Sequence, residues 1–279
     1  MLIEEMPMTA YREWNAVSAS DLKNMQRSAA YARLRPSKES AALDWGSAVH
    51  TAVLEPETLT KRYRIDPQSP KGGYPSGWRN TNDYKAQRAA LLSESGVLGL
   101  LTSEEFDGLS TIAENVATNE IGAKLHDLPG TRESSLFVAD PEFGVQRKVR
   151  PDWLIPAARM IVDVKTARDW RPGAFARACL QYGYHMSAAY YMDTFALYGT
   201  IEVEHFVFLV VAADAPYEVA AYTLDRDSIT QGRSDYRKAL AQWTACQSAG
   251  EWPGGLAKIE EIRIPEFGIN YYQQEEDSF

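Results

Sequence analysis

The stretch "VRPDWLIPAARMIVDVKT", from Val149 to Thr166, constrains this chain more than any other. It holds two runs of strand-like alternation joined by the short link "IPAAR". In "RMIVDVKT", Asp163 and Lys165 fall on one face, and Val162 and Val164 on the other. In "QRKVRPDWLI", the apolar set Val149, Pro151, Trp153 and Ile155 alternates with Lys148, Arg150 and Asp152. A link this short predicts neighbouring antiparallel strands, so Asp152 approaches Asp163 with Lys165 one step further along. Charges set among apolar residues need either a mutual pairing or a ligand, because an unpartnered buried charge is expensive.

A solvated hairpin carrying a Lys–Asp pair would satisfy that need. So would a ligand. Two carboxylates held together repel, and one takes up a proton unless a cation lies between them. Mg²⁺ suits such a place, since it takes one or two carboxylates along with phosphate oxygens and waters. It would polarise a phosphoryl group and lower the pKa of a bound water. A lysine beside it would position that water or stabilise the developing charge. The chemistry implied is metal-dependent hydrolysis of a phosphodiester.

The rest of the chain supplies a frame for the hairpin. Ser18 with Asp21 has the form of a capping box, and Leu22, Met25 and Ala29 follow at helical spacing. "ALDWGSAVHTAVLEPE" reads as a second helix closed before Pro56. Residues 66–82 are rich in Pro, Gly and Ser and predict a long loop, with helices at about 82–95 and 102–120 after it. From Pro129 onward "ESSLFVAD", "GVQRKVRPDWLI", "RMIVDVKT", "VEHFVFLVVAAD" and "YEVAAYTLD" are strand-like. A long helical stretch broken near Gly183 separates the third of these from the fourth, and a last helix follows the fifth. Helices first, then a meander of about three strands, then helix and further strands, predict a mixed α/β fold whose sheet is flanked by helices.

Charge and cysteine content exclude several classes. Only Cys179 and Cys246 occur, without a CxxC pair, which argues against a disulfide framework, a zinc ribbon and a four-cysteine iron–sulfur cluster. The net charge of −9 does not advertise a nucleic-acid binder. Between Arg132 and Arg177, however, 9 Lys/Arg stand against 6 Asp/Glu, a local net of +3 (9 − 6). The tail "QQEEDSF" returns acid at the far end and is expected to be mobile. No phosphate-binding G-x-x-x-x-G-K-[ST] loop exists, so an ATP-driven helicase is not part of the chain. No apolar run is long enough to span a bilayer, and the acidic start "MLIEEMPMTAYREW" lacks signal-peptide character. The expectation is a cytoplasmic protein with no membrane partner.

With these residues in place, the chain resembles the PD-(D/E)xK nuclease superfamily, with Pro151-Asp152 and Asp163-Val164-Lys165 as its signature. Within it, the chain resembles the RecE-type phage exonucleases, cousins of lambda exonuclease and of the RecB nuclease domain. "SASDLKNM" is similar to the opening helix of that group, "ALDWGSAVHTAVLEPE" to its Gly-x-x-x-His helix, and "YGYHMSAAYYMD" to the segment after the hairpin. The resemblance implies a restriction-endonuclease-like core: a mixed central β-sheet flanked by helices, with an N-terminal helical region. One nuclease domain would occupy 1–279, with a mainly helical part over 1–128, the catalytic sheet over 129–250 and a C-terminal extension over 251–279.

The resemblance also implies roles. His50, Asp152, Asp163 and the backbone carbonyl of Val164 would hold Mg²⁺ (or Mn²⁺ in its place), with two ions expected, and Lys165 would serve the attacking water. Read without the resemblance, a helical His between Ala, Val and Leu is an ordinary core or surface residue. Glu133 could add acidic character, or be a solvated strand-end acid. The group often carries Gln-x-x-x-Tyr on the helix after the hairpin. Tyr191 matches the tyrosine, but Ser187 stands at the glutamine position, and Gln181 is out of register. Tyr191 as plain core is the competing view. Arg147, Lys148, Arg150, Arg168 and Arg171 are candidates for DNA phosphate contacts, with solvated strand and loop ends as the alternative. Trp78 could stack on a base, though loop packing is the plainer role. The implied partners are linear double-stranded DNA ends, further copies of the chain in a ring-like trimer or tetramer, and a single-strand annealing protein of the RecT kind. A nuclease-like fold kept for DNA binding, and an endonuclease using the same site, are the competing functions.

Overall fold

The computed structural model describes residues 1–35, 41–255 and 259–261, and for 41–44 the backbone alone. Most of the predicted 251–279 extension, including the acidic tail and its expected mobility, lies outside the described residues.

The N-terminal part is helical with short strands at its edges. Strand β1 (Leu2–Ile3), helix α1 (Met8–Glu13) and β2 (Val17–Ser18) precede α2 (Ala19–Met25), where Ser18 and Asp21 form the capping box expected of them. Then come α3 (Ala29–Leu34), α4 (Ala41–Leu54), α5 (Leu59–Arg62), β3 (Tyr63–Ile65), α6 (Asn82–Leu92), β4 (Gly99–Leu101), α7 (Ser103–Thr118) and α8 (Glu120–His126). The predicted loop is present between β3 and α6. Trp78 lies buried in it, its indole N–H donating to the Pro67 carbonyl at 2.8 Å, so its place is loop packing.

The strands that follow are β5 (Thr131–Arg132), β6 (Ser135–Asp140), β7 (Val145–Val149), β8 (Trp153–Ile155) and β9 (Met160–Ala167). Helices α9 (Pro172–Gln181) and α10 (Tyr184–Tyr198) lead to β10 (His205–Ala212), β11 (Val219–Thr223) and the long α11 (Arg226–Ala249). The strands form two principal sheets, in orders β1-β6-β7-β2 and β11-β10-β9-β8-β5, with β3 and β4 paired apart. The architecture is mixed α/β: β9 pairs with β10 in parallel across the α9–α10 crossover, and with β8 antiparallel.

One expectation is corrected here. "GVQRKVRPDWLI" is not one strand; it breaks at Arg150–Asp152, leaving β7 in the first sheet and β8 in the second. Pro151 has no N–H to give a ladder, so a strand interior is a poor place for it. The carbonyls flanking it bond elsewhere: Arg150 accepts from the Tyr191 hydroxyl, and Asp152 accepts from the Glu133 N–H. The short edge strands β1 and β2, which carry too few residues for a periodic signal, complete the first sheet.

The alternation read in β9 holds. Val162 and Val164 enter an apolar cluster with Trp153, Ile155, Val207, Leu209 and residues of α4 and α7. Ile161 faces the other way, into a cluster with Leu154, Phe206, Phe208 and residues of α2, α9 and α10. By the same parity Asp163 and Lys165 lie on the face covered by α2, α9 and α10. Among the described residues no helix is long and apolar enough to cross a membrane.

Candidate active site

Asp152, Asp163 and Lys165 meet on that face, where β8 begins beside the middle of β9. The ladder pairs Trp153 with Val162, which sets the preceding Asp152 beside Asp163. Asp152 Oδ2 accepts the Val164 N–H at 2.7 Å, a bond that fixes its carboxylate to the neighbouring strand. The Lys165 ammonium contacts Asp163 Oδ2 and lies 3.2 Å from the Val164 carbonyl. His50 comes from α4, and its Nδ1 stands 3.5 Å from Asp152 Oδ1. Four residues, three from the β8–β9 hairpin and one from the distant α4, therefore share one place.

The electrostatics push the two acids apart. Burial would raise the pKa of Asp152, but His50, Lys165 and the Val164 N–H hold it below the usual carboxylate range. Asp163 goes the other way, raised by burial and by the Asp152 charge despite its lysine. Burial works against the charge of Lys165, yet the two carboxylates lift its pKa above normal. His50 is likewise raised, Asp152 outweighing burial. Two neighbouring carboxyl groups with opposed protonation tendencies are a usual mark of a functional site.

The donor set suits a hard divalent cation: two carboxylates on adjacent strands and the Val164 carbonyl between them. Asp163 Oδ2 is a buried oxygen without a well-formed hydrogen bond, in spite of the adjacent ammonium. Each acid is compensated by its own cation here, Asp152 by His50 and Asp163 by Lys165. Among the described residues, no group of three or more His, Cys, Asp or Glu is gathered closely enough to hold an ion. For His50 to join a shared ion, its imidazole has to be in the neutral form.

The accessory residues separate into two kinds. Tyr191 reaches the corner from α10, its hydroxyl donating to the Arg150 carbonyl at 3.2 Å, immediately before Pro151-Asp152. Ser187, one turn earlier, bonds back to the Gly183 carbonyl at 3.5 Å, and Gln181 is exposed at the end of α9. Glu133, at φ +51°, accepts from the Arg150 guanidinium at 2.9 Å and lines a small cavity with Asp152, Tyr191 and Ser20.

Three of the five cations expected to meet phosphate are committed to the protein, which corrects that expectation for them. Arg147 is 2% exposed, with its Nε bonded to Asp140 at 2.7 Å and its guanidinium beside the rings of Tyr190 and Tyr236. Lys148 gives its ammonium to the carbonyls of Tyr11, Arg12 and Trp14, closing the end of α1. Arg150 spends its donors on Glu133, Ser135 and the Met6 carbonyl. A sheet that gains edge strands from the N-terminus buries residues that a lone hairpin would expose. Arg168 and Arg171 are exposed, the latter paired with Asp169.

Two neighbours of Lys165 escaped the sequence reading. Tyr184, at the start of α10, places its ring 5.2 Å from the Lys165 ammonium. Lys23 of α2 stands 5.8 Å from the same ring. Burial, and then the nearby Lys165, push the Lys23 pKa down to about 8. The only available signal was the spacing of α2, where Lys23 follows the buried Leu22.

Comparison with known proteins bears on the family and the fold. The profile of a family described as a PDDEXK-like domain of unknown function (DUF3799) matches residues 9–265. A search of curated proteins finds no relative. Among solved structures, a putative exonuclease from Eubacterium rectale has a TM-score of 0.59 at 13% identity, over 96% of this chain and 98% of that one. A phage related exonuclease from Haemophilus somnus 129PT covers 86% of this chain and 99% of its own at 12% identity, with a TM-score of 0.36, too low to carry an argument. The family match spans most of the chain, so this protein belongs to that PDDEXK-like family and has its nuclease-type fold.

Proposed function

We propose, from the premise of a PDDEXK-like chain, that this protein is a Mg²⁺-dependent deoxyribonuclease that digests linear double-stranded DNA from its ends. The observation that carries the reading is one bond pattern: Asp152 tied to the Val164 N–H, beside Asp163 and Lys165 on a single face of the hairpin. When bound, a divalent ion supplies polarisation of the scissile phosphate and a more acidic water. The ion would be held by Asp152, Asp163 and the Val164 carbonyl, with His50 as a further ligand and a second ion expected.

The side chains do the remaining work. Asp152 is oriented by its bond to β9 and by Tyr191, which clamps the Arg150 carbonyl two residues before it. Lys165 carries its positive charge at the reacting phosphate, and its donors can orient a water towards phosphorus. In the reaction the water oxygen bonds to phosphorus, the P–O bond to the leaving sugar oxygen breaks, and a proton ends on that oxygen. A 5′→3′ direction, a ring of copies, a single-strand annealing partner and a place in phage-type recombination extend the proposal by family resemblance alone.

The test is digestion of a linear duplex and a covalently closed circle with Mg²⁺ or with EDTA. Loss of linear DNA only, abolished by EDTA and reduced about 10²–10³-fold by Lys165→Ala, is the expected result. Linearised circles would point to an endonuclease instead. Because Ser187 turns back on its own helix and, among the described residues, braces nothing in the site, a binding protein with attenuated catalysis is the second reading. Tight DNA binding without cleavage of either substrate would favour it.

A further inference from the structure

The cation that the proposed chemistry leaves unused is Lys23. Its stem lies against the α9–α10 junction, and a Cβ added at Gly183 would stand 3.0 Å from both its Cγ and Cδ. Gly183 has φ +65°, so a glycine suits that backbone and at the same time leaves the lysine its track. The track delivers the ammonium to the Tyr184 ring that also faces Lys165. Lys165 has Asp163 and the Val164 carbonyl as partners. Lys23 is partly buried and, among the described residues, makes no ion pair and no hydrogen bond; its ammonium faces the Tyr184 ring.

Asp163 lies near enough to favour the Lys23 charge, yet among the described residues no carboxylate contacts the ammonium. A desolvated ammonium so placed lowers stability, and a chain keeps such a group where a ligand supplies the missing contact. Lys165 is bound to its own carboxylate, which leaves Lys23 as the ammonium at this end of the site without a carboxylate contact. We propose that Lys23 is a substrate-binding residue that donates to a non-bridging oxygen of a DNA phosphate next to the scissile bond. This inference rests on the nuclease reading and adds a contact to it. A lysine is a compact charge suited to one phosphate oxygen, where an arginine would demand two.

The experiment measures DNA binding and cleavage for wild type, Lys23→Met and Lys23→Gln, two variants that both remove the charge while keeping most of the unbranched stem. Binding of a short linear duplex is titrated against salt with Ca²⁺ in place of Mg²⁺, and thermal melting is recorded for each protein. Loss of one phosphate contact weakens binding about tenfold or more and lowers the slope of log K against log salt by about one. Melting should stay level or rise, since the variant no longer buries an unpaired charge. A structural lysine would behave the other way, with melting lowered and the slope unchanged. Wild-type affinity and slope in both variants, in a protein that cleaves DNA, would overturn the assignment and leave the nuclease reading standing. A wild type that binds with a Lys23-dependent slope but cleaves nothing would sink the nuclease reading and keep the contact. A wild type that does not bind DNA at all overturns both.

Discussion

At the scale of the residue, Tyr191 shows how one hydroxyl shapes the candidate site. Its ring packs edge-on against Phe206 at 6.0 Å, which fixes the direction of the hydroxyl towards the Arg150 carbonyl. That carbonyl belongs to the break between β7 and β8, so the bond anchors the turn that presents Asp152. Tyr191→Phe keeps the ring and removes the bond. The expected cost is about 1 kcal/mol of stability, with a larger drop in kcat than change in KM, because the acid is loosened while the DNA surface is intact. Chemical denaturation with steady-state digestion checks both; an unchanged kcat would show that Pro151 alone holds the corner. Ser187 contributes nothing comparable, so the brace expected from a glutamine-and-tyrosine pair rests here on the tyrosine.

Among the elements, the packing of α10 on α11 decides where Tyr184 and Tyr191 stand. Gly232 of α11 lies so close to α10 that a Cβ there would meet the His185 carbonyl oxygen at 2.2 Å. That contact is with backbone, which cannot swing aside. His185 is itself pinned, its Nδ1 3.1 Å from the Cys179 carbonyl and its Nε2 3.3 Å from Asp235. Gly232→Ala therefore has to push the helices apart, and about 1–3 kcal/mol of destabilisation is expected from overpacking. A fall in melting temperature should come with weaker cleavage, since α10 carries the tyrosines of the site. Full stability in the variant would mean that α10 yields without strain.

For the whole molecule, the distribution of cations matters more than their number. Asp140 and Arg147 form a buried pair, each 2% exposed, extended through Tyr236 to Asp193 and Arg233. It ties β6 and β7 to α10 and α11. Arg147→Met leaves Asp140 buried without its partner, and a loss of about 3–5 kcal/mol is expected. Arg168→Ala, at an exposed position, should change stability by less than about 0.5 kcal/mol yet lower the salt slope of DNA binding. The paired comparison, melting against salt titration, separates a cation that holds the fold from one that faces solvent. Equal melting temperatures for the two variants would contradict the assignment of Arg147 to the fold.

What the sequence determined was local and periodic. Period-two alternation set Asp163 and Lys165 on one face of β9, the Ser18–Asp21 spacing set the start of α2, and Gly183 marked the break between α9 and α10. Those features depend on neighbours a few residues away, so a single chain displays them. The tertiary structure decided the rest. It split one apparent strand between two sheets at Pro151, buried Arg147 and Lys148 beneath strands and helices from distant parts of the chain, and brought Lys23 and Tyr184 to Lys165. Whether a cation meets solvent, a carboxylate or a ring depends on which elements pack over it. That choice is made by burial of apolar surface across the whole molecule, and no local spacing records it.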